Sequence, residues 1–119
     1  MNRHEQINYL ELPASDFAAT KTFFSDIFGW EFTDYGEEYM AFSNAGVEGG
    51  FFLSDLKAST VTGSVLIVFY SEDLEKTLSK IVTAGGTVIK PTFSFPGGRR
   101  FHFSDPNGNE YAVWSDIEA

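Results

Sequence analysis

Two stretches of this chain run from an aspartate to a glycine over the same distance. They are Asp16 to Gly29 and Asp73 to Gly86, offset by 57 positions (73 against 16, 86 against 29). An apolar run precedes each: Ile7-Asn8-Tyr9-Leu10-Glu11-Leu12 and Val65-Leu66-Ile67-Val68-Phe69-Tyr70. Between acid and glycine the apolar residues recur at helical spacing, as Phe17, Phe24, Ile27 and Phe28 in the first stretch and Leu74, Leu78, Ile81 and Val82 in the second. Aromatic and β-branched residues broken by Gly, Asn or Pro follow each glycine. A duplicated unit constrains the fold more than composition does, because each copy has an amphipathic face that needs the other to cover it. The repeat predicts an α+β fold. Two βαβββ modules related by a pseudo-twofold would form a curved mixed sheet enclosing a cleft, with the helices on the outer face. Repeat one covers about 5–53, a small polar linker about 54–63, and repeat two about 64–115, all within one domain of 119 residues.

Within each unit the punctuation is local. Ser15 or Asp16 serves as the first helix cap and Ser71-Glu72-Asp73 as the second. Gly29 and Gly85-Gly86 stop the helices. The strands are predicted at about 5–12, 30–33, 38–42, 51–53, 65–70, 87–89, 101–103 and 110–114, with Pro91 to Gly98 as a loop. Asp105-Pro106-Asn107-Gly108-Asn109 reads as a tight turn, since each residue favours a bend. It lacks the ligand count and the closing bidentate glutamate of a calcium loop.

Composition removes several function classes. Cysteine is absent, which excludes disulfides, thiolate catalysis and Cys-metal sites and fits a cytoplasmic protein. Lys and Arg total 8 against 17 acids, a net charge of −9, so nucleic acid and anionic membranes are disfavoured partners. No apolar run is long enough to span a bilayer, and Met1 to Gln6 has no signal-peptide character.

Strand alternation sorts the side chains by face. Leu10, Leu12, Ile67, Phe69, Phe101, Phe103, Tyr111 and Val113 are expected under the helices. The opposite, concave face then carries the ligand-binding candidates Tyr9, Glu11, Leu66, Tyr70, Arg100, His102, Ala112 and Trp114, together with Val68 and Glu110. His102 could be a general base or a ligand donor; satisfaction by a neighbouring carboxylate or carbonyl is the favoured alternative. Glu11 is expected to pair with Arg100 across the sheet, which relieves its desolvation. Arg100 could instead neutralise Glu110 or hold a ligand carboxylate or phosphate. Arg99 points the other way, to the helix side. Tyr9, Tyr70 and Trp114 could wall a flat ligand.

Three stretches carry a resemblance to a known family: Leu10-Glu11-Leu12-Pro13 leading to Phe23-Phe24-Ser25-Asp26-Ile27-Phe28-Gly29-Trp30; Glu72-Asp73-Leu74 leading to Ala84-Gly85-Gly86; and Phe103-Ser104-Asp105-Pro106-Asn107-Gly108-Asn109. The pattern resembles the vicinal oxygen chelate superfamily of glyoxalase I, bleomycin-resistance proteins and extradiol dioxygenases. With Phe95 to Phe103 and Ala112-Val113-Trp114-Ser115, it resembles the subgroup of predicted lactoylglutathione-lyase-related proteins. The resemblance implies a divalent metal held by a His or Glu on the first strand and a Glu on the last strand of each repeat. Those positions fall on Tyr9 and Leu66, and on Phe52 (within one residue) and Ala112, which do not form a divalent-ion site. No metal or other cofactor is therefore expected, apart from a divalent ion at a non-standard position.

Three functions follow. The first is metal-independent binding of a small organic molecule in an apolar cleft, as in the bleomycin-resistance branch. The second is a lyase or isomerase of the lactoylglutathione-lyase type, with a relocated metal or none and with His102 or Glu11 as base, although no complete nucleophile–base–orienter set is visible. The third is a regulatory or structural dimer. The aromatic load, 17% of the residues, and the family's habit of pairing modules between chains favour a homodimer.

Overall fold

A computed structural model describes residues 2–118. The first module comprises β1 (Tyr9–Ala14), α1 (Phe17–Phe28), β2 (Glu31–Asp34), β3 (Tyr39–Ser43) and β4 (Glu48–Leu53). A linker containing one 3-10 turn (Thr60–Thr62) leads to β5 (Ile67–Tyr70), α2 (Leu74–Thr83), β6 (Thr87–Phe95), β7 (Gly98–Ser104) and β8 (Glu110–Ser115). The predicted two-module α+β architecture is present, but the strands form two separate sheets of four rather than one. Their orders are β1-β4-β3-β2 and β5-β8-β7-β6. In each, the first strand runs parallel to the last and the other pairings are antiparallel.

The acids and glycines of the repeat act as predicted at the helix ends. Asp16 accepts from the Ala19 N–H at 3.0 Å and Asp73 from the Lys76 N–H at 3.1 Å. Gly29 ends α1 in the left-handed conformation, φ 72°. On α2 the left-handed residue is Gly85, so the second helix closes one residue earlier. Gly86 has a different duty: a Cβ there would press on Ile81 and on Phe23 of α1.

Several strand boundaries differ from expectation: β1 starts at Tyr9 rather than 5 and continues to Ala14, β5 starts at Ile67 rather than 65, and β7 runs from Gly98 to Ser104 rather than 101–103. Two further differences bear on the concave faces. Pro91 to Gly98 is not a loop; β6 continues to Phe95, pairing Phe93 with Arg100 and Phe95 with Gly98. Proline is tolerated because β6 is the edge of its sheet, and its register slips on both sides of Lys90. The fourth strand begins at Glu48 rather than Phe51. Gly49 and Gly50 lie inside it because the Phe42 and Tyr39 rings occupy the space their side chains would need.

One aromatic core spans both modules. Phe24 of α1 stacks on Trp30 (centroids 4.4 Å apart) and meets Tyr111 of the second sheet edge-on at 5.5 Å. Phe28 stacks on Phe69 at 4.2 Å. Of the residues expected under the helices, Leu12, Phe101, Phe103, Tyr111 and Val113 are fully buried, while Leu10, Ile67 and Phe69 pack at the margin.

The turn at 105–109 also joins the modules. Asn107 Oδ1 accepts from the Ser15 and Asp16 N–H groups at 3.0 and 3.1 Å, and its Nδ2 donates to Thr20 Oγ1 at 2.8 Å. Asn109 Nδ2 donates to the Pro13 carbonyl at 2.7 Å, and its Oδ1 accepts from the Ala58 N–H at 2.9 Å. Inside the turn, Asp105 accepts from Tyr111 Oη at 2.7 Å and from the Asn107 and Asn109 N–H groups. Every donor here is spent on the fold, as a tight turn requires.

Candidate functional site

The two sheets present different chemistry on their concave faces. In the first module, Tyr9 and Glu11 of β1 stand beside Tyr39 of β3. Tyr39 Oη donates to Glu11 Oε2 at 2.9 Å and lies 2.7 Å from Tyr9 Oη. A phenol has one proton, so Tyr9 is the donor in the second bond. Burial, then the bonds to Tyr9 and Glu11, push the Tyr39 phenol well above its usual range, which keeps it a donor. The Tyr39 ring fills the space above Gly50. Beside this group is a cavity of about 510 Å³ lined by Tyr9, Glu11 and Phe52 of the first module, Leu56 and Lys57 of the linker and Val65 at the start of the second module, among others; it is named the first-module cavity after Tyr9 and Glu11.

In the second module, Glu110 is buried on β8 and His102 on β7. His102 Nδ1 and Glu110 Oε2 are 2.8 Å apart. Glu110 Oε1 accepts from the Thr60 N–H at 2.9 Å and the Thr60 hydroxyl at 2.8 Å. Burial alone would raise the Glu110 carboxyl, but the bonds from His102 and Thr60 outweigh it and bring it down to about 2. Around this pair Trp114 meets Tyr70 edge-on at 5.2 Å and lies 6.3 Å from Phe95. The Arg100 guanidinium lies 5.4 Å from the Phe93 centroid and 5.9 Å from that of Phe95.

The structure therefore divides the predicted residues into two groups. Tyr9 and Glu11 belong to the first; Tyr70, Arg100, His102 and Trp114 belong to the second. Ala112 is buried opposite His102 in the β7–β8 ladder. Leu66 is half-buried just before β5. The expected Glu11–Arg100 ion pair is not made: Glu11 is taken by Tyr39, and Arg100 rests on aromatic rings. Arg99 does turn to the helix side, where its Nη1 bonds Glu75 Oε2 at 2.5 Å. His102 has the carboxylate partner favoured for it.

Sequence reasoning passed over Tyr39, Phe93 and Phe95 as site residues. The doublet Gly49-Gly50 inside an aromatic strand was the available signal for Tyr39, because glycine in a strand marks a close approach. Phe93 and Phe95 were hidden by reading Pro91 as the start of a loop.

A profile of the glyoxalase/bleomycin resistance protein/dioxygenase superfamily matches residues 6–113, nearly the whole chain. The chain belongs to that superfamily. Its fold matches a glyoxalase-related enzyme from Fulvimarina pelagi with a TM-score of 0.75 at 19% identity, covering 93% of this chain and 88% of that one. It also matches the fosfomycin resistance protein FosX of Listeria monocytogenes with a TM-score of 0.73 at 21% identity, covering 97% and 94%. CFP32 of Mycobacterium tuberculosis, which carries a provisional glyoxylase name, is 24% identical over 115 residues. The chain spans 44% of the length of that relative.

Strand register corrects one family position. Ala112 pairs with His102 on β7 and with Val68 on β5. The residue placed likewise in the first module, paired with Ala41 on β3 and Glu11 on β1, is Gly50. The last-strand position of repeat one is therefore Gly50, not Phe52. The longer β6–β7 hairpin widens the repeat offset from 57 at the first strands to 62 at the last (112 against 50).

Proposed function

We propose that this protein binds a small, flat organic molecule in the first-module cavity without the divalent ion used by metal-dependent members of its superfamily. The observation that carries this reading is Tyr39. Its ring lies above Gly50, where the family places a carboxylate ligand, and its hydroxyl is engaged with Tyr9 and Glu11. The positions implied for a metal are Tyr9, Gly50, Leu66 and Ala112, which offer a single phenol between them. Among the described residues no three His, Cys, Asp or Glu side chains come together as a metal-holding group. This donor set does not fit a divalent ion. Tyr9 and Glu11, both bonded to Tyr39 behind them, instead make a polar end to a cavity walled by Phe52, Leu56 and Val65, an arrangement suited to an aromatic ring with one polar edge.

A titration with indole and quinoline fragments, read by NMR at Tyr9, Tyr39 and Phe52, tests the site. A fragment held at 100 times its dissociation constant should add about 2.7 kcal/mol to stability. Adding Mn²⁺ should change neither the affinity nor the melting temperature. Stoichiometric Mn²⁺ binding at Tyr9 and Ala112 would overturn the reading.

A second reading, a lyase or isomerase of the lactoylglutathione-lyase type, rests on Glu11, a carboxylate beside a cavity and in reach of a proton. It predicts turnover of the methylglyoxal–glutathione adduct that Glu11→Gln abolishes; the binding reading predicts none. We also propose a homodimer. The two modules leave β6 as a long, exposed edge strand carrying Ile89 and Phe93. Light scattering at tens of micromolar should give twice the chain mass of 13.2 kDa.

A further inference from the structure

His102 is 1% exposed, and one of its two ring nitrogens has no partner. Glu110 fixes the other. A carboxylate facing Nδ1 places the proton of the neutral ring there and leaves a lone pair on Nε2. Glu110 is itself held by the Thr60 N–H and hydroxyl, so the carboxylate is fixed in place and the imidazole cannot swing to relieve its bare nitrogen without breaking its bond to Glu110. Native interiors rarely leave a buried acceptor unmatched, so the bare nitrogen calls for a partner from outside the chain, whether water, an ion or a ligand.

A second unmatched group stands on the same face. Arg100 lies two residues along β7 from His102, so its side chain projects to the same side, about 6–7 Å away along the strand. Its Nε is buried without a partner, and among the described residues no carboxylate lies within ion-pair distance of its guanidinium. The Arg100 guanidinium instead lies over the Phe93 and Phe95 rings, which attract the cation without neutralising it. Trp114 pairs with Arg100 in the β7–β8 ladder and supplies a further ring face. Phe93, whose ring centroid is 6.0 Å from that of His102, is 38% exposed on the edge strand where the register slips. Access to Nε2 requires a neighbouring ring to move, and Phe93 is the partly exposed ring beside His102; were it to turn outward, Arg100 would keep its contact with Phe95.

One cation and one acceptor, separated by about the length of a substituted benzene ring and set among aromatic faces, define a ligand class. We propose that the concave face of the second module binds an aromatic carboxylate bearing a ring hydroxyl, with the carboxylate on Arg100 and the hydroxyl donating to His102 Nε2. Glu110 and Thr60 are positioning residues: they hold the imidazole in the tautomer that accepts. This site is distinct from the first-module cavity and does not depend on it.

The full-length chain should be titrated with 4-hydroxybenzoate, with 4-methoxybenzoate, which lacks the donor, and with phenol, which lacks the anion. The His102 ring nitrogens and the Trp114 indole are followed by NMR. The expected result is a shift at His102 Nε2 and Trp114 with 4-hydroxybenzoate, at an affinity at least tenfold above either analogue. Arg100→Gln should reduce 4-hydroxybenzoate to the affinity of phenol. The comparison of analogues needs no variant, so it stands even if a His102 substitution fails to fold. Equal affinities for the three compounds, no response at His102, or shifts confined to Tyr9, Tyr39 and Phe52 would each overturn the proposal. The last of these would place the acid in the first-module cavity, which separates failure here from failure of the proposed function.

Discussion

The two modules share strand order, the register of their inner strands and aspartate helix N-caps, yet their concave faces have little chemistry in common. Where the first has Glu11, Tyr39, Ala41, Gly50 and Phe52, the second has Val68, Arg100, His102, Ala112 and Trp114 at matching ladder positions. The buried faces keep their character, with Leu10 and Leu12 answering Ile67 and Phe69, and Met40 and Phe42 answering Phe101 and Phe103. Packing requires bulk on one face of each strand, and the other face is free to diverge. One duplicated scaffold thus carries a phenol–carboxylate group in one half and an imidazole–arginine group in the other.

The asymmetry extends to the core, and breaking it there has the largest expected effect. Phe24 on α1 and Ile81 on α2 are repeat partners, but Phe24 contacts aromatic residues of both sheets. Phe24→Ala should cost about 3–5 kcal/mol and Ile81→Ala about 2–3 kcal/mol in urea unfolding. The reverse order would show that the second helix, not the first, holds the modules together. Next is Asn109→Ala, which strips partners from the buried Pro13 carbonyl and the Ala58 N–H. About 2–3 kcal/mol should be lost. The same substitution at Asn44, whose amide bonds the Gly29 carbonyl at the surface, should cost under about 1 kcal/mol.

The acid limb sharpens the contrast between the carboxylates. Glu110 sits at about 2, below its ordinary 4.5, so the folded state binds its proton less readily than the unfolded chain. Its contribution is complete above about pH 4.5 and disappears as pH falls through about 2, on the order of 3 kcal/mol in all. Asp105 runs the other way: burial raises its carboxyl more than its hydrogen bonds lower it, so acid favours the folded state at that residue. The stability difference between the parent chain and Glu110→Gln isolates the first effect. It should narrow between pH 5 and pH 2; a constant difference would mean that the His102–Glu110 bond contributes nothing through charge. A smaller contrast than the acid limb is expected at the matching last-strand positions. Gly50→Ala drives Tyr39 off its seat and should cost about 1–2 kcal/mol while abolishing fragment binding in the first cavity. Ala112→Gly should cost about 1 kcal/mol and leave that cavity unchanged.

Period-two alternation and the repeated Asp-to-Gly helices made the architecture and the facing of the strands legible in the sequence. What eluded it is set by contacts between distant strands. Tyr39 reaches Glu11 only because β3 pairs with β4 and β4 with β1. Gly50 takes the place first given to Phe52 because the second hairpin is longer, which no local pattern reveals. Phe93 and Phe95 fell outside the site because Pro91 reads as a break, although an edge strand can accommodate it. The His102–Glu110 contact was visible as shared facing; that Thr60 of the linker would anchor it was not.

The bonds from Asn107 to Ser15 and Asp16 span 92 and 91 positions. A helix that begins near the start of the chain is thus finished by a residue close to its end. During synthesis the Ser15 and Asp16 N–H groups that lead into the first helix are met only by water until almost the entire chain is available to close that loop, although the Asp16 cap on Ala19 forms locally. Contacts of such long reach form late and slow the search for the native state. They also make partial opening expensive: exchange of the Ser15 and Asp16 amides with solvent should report on release of the C-terminal half, so the far end of the molecule can be timed from its beginning.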